Sequence, residues 1–211
     1  MCRVQEATFM IVSEQYANNG NFLRHLKLRG LTGVQLVISD KCRGLVETLG
    51  DFFAEARWQR CMVHFNRNVF SCVPNDKVKA VAGMLKAIHA QEDRAAALSK
   101  ATAVIERLES MRLGKAVGVV REGIAETLSY TYFPREHWLR IRTNNMLERM
   151  MKEIRRRTRV VGSFPDGNSA LMLVSARSRH IAGTKWSTAC YLNMQRLREM
   201  KKSEELLSLS R

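Results

Sequence analysis

Asp40 closes the apolar run Leu36-Val37-Ile38-Ser39, and Glu148 stands in the first turn of a helix-like stretch over residues 144–159. A carboxylate at a strand end and another near a helix start are suitable addresses for the metal ligands of a nuclease-type site. Lys152, Arg155 and Arg159 follow Glu148 at i+4, i+7 and i+11, so one flank of that helix carries an acid and then a row of cations. That order suits a metal-bound carboxylate beside a phosphate backbone. A plainer reading uses the same residues: Asn145 as N-cap with Glu148 at N3 is a capping-box variant, and Glu148 with Lys152 is an ordinary exposed ion pair.

Two further groups carry chemistry. Arg155-Arg156-Arg157-Thr158-Arg159 is the densest positive segment of the chain, and guanidinium forks match phosphate oxygens. Nucleic-acid contact is the preferred reading; the alternative is a solvated helix face balanced partly by Glu153. Cys61-Met62-Val63-His64 supplies half of a zinc site, with Cys72 and His89 as recruits at a spacing that matches no standard zinc module. A buried cysteine beside a satisfied histidine is the plainer account. A Cys-His nucleophilic pair is disfavoured, because three residues apart in an extended segment the two side chains point to opposite faces.

The elements that position these groups can be read from periodicity. Phe22, Leu23, Leu26 and Leu28 have near-helical spacing that ends at Gly30, a C-cap candidate. Thr32-Gly33 turns the chain into a β-branched strand over residues 34–39, with Asp40 at its C-terminal end. Leu45, Val46, Leu49, Phe52 and Phe53 form one helical face, and residues 58–65 read as a second, weaker strand. The pattern is a βαβ unit, in which ligands belong at the carboxyl ends of parallel strands. From Val78 to about Tyr130 the 3.6-residue period dominates, through Val78, Val81, Leu85 and Ile88 and then Val104, Leu108 and Met111. Tyr132-Phe133-Pro134 breaks it, and His137-Trp138-Leu139-Arg140 forms a basic, aromatic link. Leu147, Met150, Met151 and Ile154 make an apolar stripe on the next helix. Gly162, Pro165 and Gly167 punctuate the chain, residues 170–181 read as a further helix, and the tail from Lys201 is a candidate for fraying.

Composition sets the class. The 211 residues, 45% hydrophobic, suffice for one domain with a real core, elaborated by an inserted subdomain. The formal net charge of +15 and sequence pI of about 10.2 point to nucleic acid before an acidic membrane leaflet. No uncharged apolar run approaches the roughly 18 residues of a membrane span, and the start lacks a signal-peptide pattern, so a cytoplasmic protein is expected. The five cysteines, Cys2, Cys42, Cys61, Cys72 and Cys190, lack framework spacing and fit free thiols in a reducing compartment.

Three segments taken together resemble the Mutator-type transposases of bacterial insertion sequences. They are Leu36-Val37-Ile38-Ser39-Asp40, Trp58-Gln59-Arg60-Cys61-Met62-Val63-His64, and Thr143-Asn144-Asn145-Met146-Leu147-Glu148 running into Glu153-Ile154-Arg155-Arg156-Arg157-Thr158-Arg159-Val160-Val161-Gly162. The resemblance covers residues 21–197. It implies an α/β fold, predominantly helical overall, with a partial RNase H-like core and an all-helical insertion. By resemblance Asp40 is the second Asp and Glu148 the Glu of an Asp-Asp-Glu site holding two divalent metals. Hard, oxygen-rich ligation of that kind favours Mg2+ or Mn2+, and the implied reaction is two-metal phosphoryl transfer on DNA. Cys61 and His64 map onto the Cys-x-x-His signature of the family, with a role in site architecture or DNA handling. Lys152, Arg155, Arg156, Arg157 and Arg159 would bind DNA through phosphates.

The implied organisation is a first part of the core over residues 21–74, the helical insertion over 75–137, and the Glu-bearing and C-terminal helices over 138–197, flanked by an atypical N-terminus (1–20) and a tail (198–211). Expected partners are transposon-end and target DNA, a second copy or an intact transposase, and no membrane, in a nucleoid-associated cytoplasmic setting. Two departures stand out. No Asp occurs before Asp40, residues 1–20 do not resemble the strand that bears the first Asp, and neither Glu6 nor Glu14 ends a recognisable strand. Met151 also replaces the usual Asn one turn from Glu148. The expectation is a C-terminal portion of a transposase that does not cut DNA alone, or a non-catalytic DNA-binding remnant that modulates an intact one. A sheet lacking its first strands would expose an edge and favour association.

Overall fold

The computed structural model describes residues 9–12, 20–184 and 192–209. The chain divides into two units, Met1–Asn144 and Asn145–Arg211.

In the first unit, strand β1 (Phe9–Ile11) is followed by helix α1 (Gly20–Leu28), whose stop is written in Gly30. Gly30 takes φ 88°, and the N–H groups of Gly30 and Leu31 bond the carbonyls of Lys27 and Leu26 at 2.9 and 3.0 Å. These paired closing bonds satisfy helix-end carbonyls, and the left-handed residue between them is cheapest as glycine. Strand β2 (Leu36–Ser39) is buried along its whole length, the signature of a parallel strand covered on both faces. Helix α2 (Arg43–Phe52) then returns the chain to strand β3 (Arg57–Arg60). The sheet order is β1-β2-β3 with both pairings parallel, Met10 opposite Val37 and Ile38 opposite Gln59. The βαβ unit read from the sequence is therefore formed.

Three sequence readings need correction here. Residues 1–20 offer no strand by pattern, yet Phe9–Ile11 forms one; at three residues it is too short to carry a period, and its pairing with β2 supplies what the local sequence does not. Val46, assigned to the buried face of α2, is 37% exposed, while Leu45 and Leu49 are buried. The second strand stops at Arg60, and helix α3 (Met62–Phe70) takes the residues read as its second half.

One apolar cluster joins β1, α1, β2 and α2 through Met10, Leu23, Val37, Leu45 and Leu49. Beyond the sheet come α4 (Asn75–Ile88), α5 (Arg94–Ser110) and α6 (Gly114–Gly123); Val81, Leu85, Ile88, Val104 and Leu108 are buried as the periodicity predicts, whereas Val78 and Met111 are only partly buried. A 3-10 stretch (Ala125–Tyr132) then packs on β3. Gln59, fully buried, fastens it: its amide donates to the Arg60 and Thr127 carbonyls at 2.7 and 2.8 Å, and its oxygen accepts from Tyr130 N–H at 2.8 Å. Arg60, 4% exposed, bonds Glu126 at 3.1 Å and lies 5.0 Å from the Phe65 ring centroid. Burying these polar groups without such partners would cost about 1–3 kcal/mol each. The basic, aromatic link is itself helical, a 3-10 turn (Arg135–His137) and a single turn α7 (Trp138–Ile141).

The second unit holds α8 (Asn145–Val161), α9 (Gly167–Ala182) and α10 (Met194–Leu209). Gly162 follows α8 with φ 77°, and Asp166 caps α9 by accepting from Ser169 N–H at 2.6 Å. The tail expected to fray from Lys201 continues α10 instead. The whole is a mainly helical α/β fold, and among the described residues no helix is long and apolar enough to cross a membrane.

Candidate functional site

Asp40 leaves the sheet at the carboxyl end of its central strand, as the strand pattern predicts. The turn is fixed by side chains: Trp58 Nε1 donates to Ser39 Oγ at 2.9 Å, and Ser39 Oγ donates to the Asp40 carbonyl at 2.9 Å. The carboxylate is partly exposed, and its Oδ1 lies 2.7 Å from His64 Nδ1.

Cys61 and His64 come together, which the extended reading excludes. Cys61 N–H still bonds the Ser39 carbonyl at 2.8 Å, in register with the sheet, while Met62 N–H bonds the Arg142 carbonyl at 3.0 Å as α3 begins. Helical spacing then puts residues three apart on one face, and His64 Nδ1 sits 3.3 Å from Cys61 Sγ. The thiol, with no exposed surface, donates to Asn144 Oδ1 at 3.2 Å. Burial pushes the Cys61 thiol up, against the lowering effect of its hydrogen bonds with His64 and Asn144. A buried thiol held neutral is no nucleophile.

Asp40, Cys61 and His64 each offer one ligand atom within 4.8 Å of the others. Neither recruit considered for a zinc site belongs to this group. Cys72 follows α3, and His89 is buried in the helical region, with Nδ1 at 3.2 Å from Tyr130 Oη. Burial lowers the His89 pKa to about 4, helped by the charge of Arg142. No short motif marks that pair; both residues lie inside the helical pattern.

Glu148 belongs to the second unit, partly buried in the first turn of α8. Because α8 starts at Asn145, the capping position falls on Asn144, one residue earlier than the capping-box reading. Ile154 is buried and Leu147, Met150 and Met151 are half-buried, so the apolar stripe lies where spacing puts it. The cations separate into two sets. Glu153 accepts two bonds from Arg156, at 3.0 and 2.9 Å, lies 3.7 Å from Arg157, and also bonds Arg177 of α9. These bonds, those from Arg156 first, hold its carboxyl down at about 2. Lys152, Arg155 and Arg159 are exposed and make no ion pair among the described residues, which removes the expected Glu148–Lys152 pair. Spacing identifies Glu153 as a counter-charge but not Arg177, which comes from another helix.

Compared with known proteins, the chain matches the family described as Transposase, Mutator family, over residues 8–188. The match begins before β1, earlier than the resemblance read from motifs alone. The transposase for insertion sequence element ISRM5 of Rhizobium meliloti is 39% identical over 182 residues, 86% of this chain and 46% of that protein. The transposase for IS1081 of Mycobacterium tuberculosis is 37% identical over 155 residues, 74% of this chain and 37% of that protein. The transposase for IS256 in transposon Tn4001 of Staphylococcus aureus is 34% identical over 170 residues, 80% and 43%. The chain thus spans less than half the length of these three relatives.

Proposed function

Since the chain belongs to the Mutator family of transposases, we propose that it serves insertion-sequence transposition as a DNA-binding, Asp-Asp-Glu type subunit with an RNase H-like core. The observation that carries this reading is Asp40, at the carboxyl end of the central parallel strand in a chain matched by the family over residues 8–188. In this reading residues 75–137 are the helical insertion.

Asp40 and Glu148 are the residues that would hold Mg2+ or Mn2+. The donors suit a hard cation: the carboxylate at Asp40 is partly open to solvent, and the neighbouring sulfur is a protonated thiol turned to Asn144 rather than a thiolate. A bound ion of this class supplies Lewis-acid stabilisation of charge on phosphodiester oxygens. The chain's own contribution is binding and orientation. Lys152, Arg155 and Arg159 present charge for DNA phosphates, whereas Arg156 and Arg157 are paired with Glu153. In this reading Asp40 and Glu148 are two of the three carboxylates of the site, and the 211 residues, with no Asp before Asp40, are read as binding DNA without cutting it alone.

Incubation of the purified chain with supercoiled plasmid and Mg2+ or Mn2+ tests this. The expected result is DNA binding without nicking. Metal-dependent nicking that vanishes in both Asp40→Ala and Glu148→Ala would overturn the claim of catalytic incompleteness. The second reading, a remnant that modulates an intact transposase without chemistry, gains if DNA binding survives both substitutions and chelation.

A further inference from the structure

The first unit carries a concentration of positive charge of its own, assembled from residues far apart in sequence. Arg57 opens β3, Arg94 opens α5, and Tyr132 ends the 3-10 stretch. Strand alternation brings them together. Arg57 and Gln59 project from one face of β3; Gln59 fastens the middle of the 3-10 stretch, and Arg57 reaches its end. The Arg57 guanidinium carbon lies 3.9 Å from the centroid of the Tyr132 ring, and that of Arg94 lies 4.9 Å from it. A third cation follows three residues on, where the Arg135 guanidinium lies 5.8 Å from the Trp138 ring centroid. Among the described residues none of the three arginines makes an ion pair. Two acids beside them are committed elsewhere: Asp93 caps α5 by accepting from Ala96 N–H at 2.8 Å, and Glu126 bonds Arg60 at 3.1 Å.

Two permanent like charges drawn to one ring repel each other unless an anion joins them. Stacking occupies the flat face of a guanidinium and leaves its N–H edge for acceptors. Arg94 spends one donor, Nη1, on the Leu128 carbonyl at 3.0 Å, and the Arg57 side chain makes no hydrogen bond among the described residues. Two forks of N–H donors therefore remain, held by the ring and by the ends of two elements, in a form that matches phosphate oxygens. The cluster is open: Arg57 and Arg135 are exposed, and Tyr132 is 39% exposed. Arg57 stands opposite Leu36 at the amino ends of the strands, about 10 Å along the sheet from the carboxyl end that Asp40 leaves. A phosphate held here is a different one from any at Asp40.

We propose that Arg57 and Arg94, braced on Tyr132, together with Arg135 bind backbone phosphates of DNA, a second contact surface in addition to the cations of α8. Duplex DNA supplies phosphates at close, regular spacing, so one polyanion can serve cations that come from separate elements, and a chain of net charge +15 attracts it. That ligand rests on the reading of the chain as a DNA-binding protein; the arrangement of the guanidiniums does not.

Anisotropy titrations of a labelled duplex with the full 211-residue chain over a salt series test it. In the double variant Arg57→Gln with Arg94→Gln, the slope of log affinity against log salt is expected to fall by roughly 2, at about 0.9 for each phosphate no longer neutralised, so the affinity lost between about 50 and 200 mM salt shrinks about tenfold. Arg57→Gln alone, which removes no hydrogen bond within the described residues, is expected to lower the slope by about 0.9. Tyr132→Leu removes no charge and is expected to weaken binding severalfold with the slope unchanged. Thermal melts of each variant separate these effects from loss of fold. A parental slope in both folded arginine variants would overturn the second surface and leave DNA binding by the chain intact. Tyr132→Leu binding like the parent would overturn the ring as the brace. Absence of duplex binding by the parent would overturn the DNA-binding reading, and this ligand with it. Inorganic phosphate bound by the parent in calorimetry and lost in the double variant, with the DNA slope unchanged, would give the site to a free anion and overturn the DNA assignment.

Discussion

The surroundings of Asp40 and those of Glu148 are built on opposite plans. Asp40 sits where strand, helix and 3-10 stretch converge, and the polar groups around it are bonded to residues distant in sequence: Trp58 to Ser39, Cys61 to Asn144, Gln59 to Thr127 and Tyr130, Arg60 to Glu126. The α8 helix that carries Glu148 exposes most of its cations, and its ion pairs among the described residues gather on Glu153, with Arg156 and Arg157 within a turn and Arg177 across on α9. The first plan fixes atoms in place; the second keeps charge available. A surface ion pair contributes about 0–1 kcal/mol, whereas a buried network is costly to break, so the two regions should respond to mutation very differently.

The widest gap is expected between Phe65→Ala and Val160→Ala. Phe65 is fully buried, and its removal should cost about 3–5 kcal/mol in denaturant unfolding. Val160 is 82% exposed, and its truncation should stay within about 0.5 kcal/mol. Comparable losses would erase the distinction between the two plans.

Acid should strike the first unit through His89. Its folded pKa, about 4, lies below the ordinary value of 6.5, so its contribution is present above pH 6.5 and is lost as pH falls toward 4. At about 1.4 kcal/mol per unit, that window is worth about 3 kcal/mol. Chemical denaturation at a series of pH values should show this slope in the parent and its loss in His89→Phe; an identical slope in both would assign acid sensitivity to other groups.

Gly123→Ala probes the buried network from inside. A Cβ there would overlap the Arg60 guanidinium and meet the Phe65 ring edge at 3.0 Å. Arg60 is held by Glu126 and cannot swing away freely, so a loss of about 1–3 kcal/mol is expected from unfolding curves. An unchanged midpoint would mean that this corner yields easily.

How far the sequence reveals this architecture follows the same division. The β2–α2 segment is legible because its signals are local: a β-branched run, a glycine stop before it, and an apolar period after it. The α8 stripe and its cations are legible for the same reason. The Cys61–His64 pair is misread from spacing because α3 starts with no side-chain cap; its first turn is set by the Ser39 and Arg142 carbonyls, from residues 39 and 142. Strand β1 is invisible because three residues carry no period, and Arg177 because its partner Glu153 lies on another helix. Position and motif resemblance single out Asp40 and Glu148, whereas the meeting of Asp40 with Cys61 and His64 is visible only in three dimensions.

The salt dependence of duplex DNA binding decides whether the exposed cations of α8 serve DNA phosphates while the Asp40 region holds its geometry without them. Substituting Lys152, Arg155 and Arg159 together by Ala should leave the thermal melt nearly unchanged. The same substitution should lower the slope of log affinity against log salt by roughly 2 to 3, at about 0.9 for each phosphate no longer neutralised. A slope equal to that of the parent would contradict this assignment and move the DNA surface off the helix.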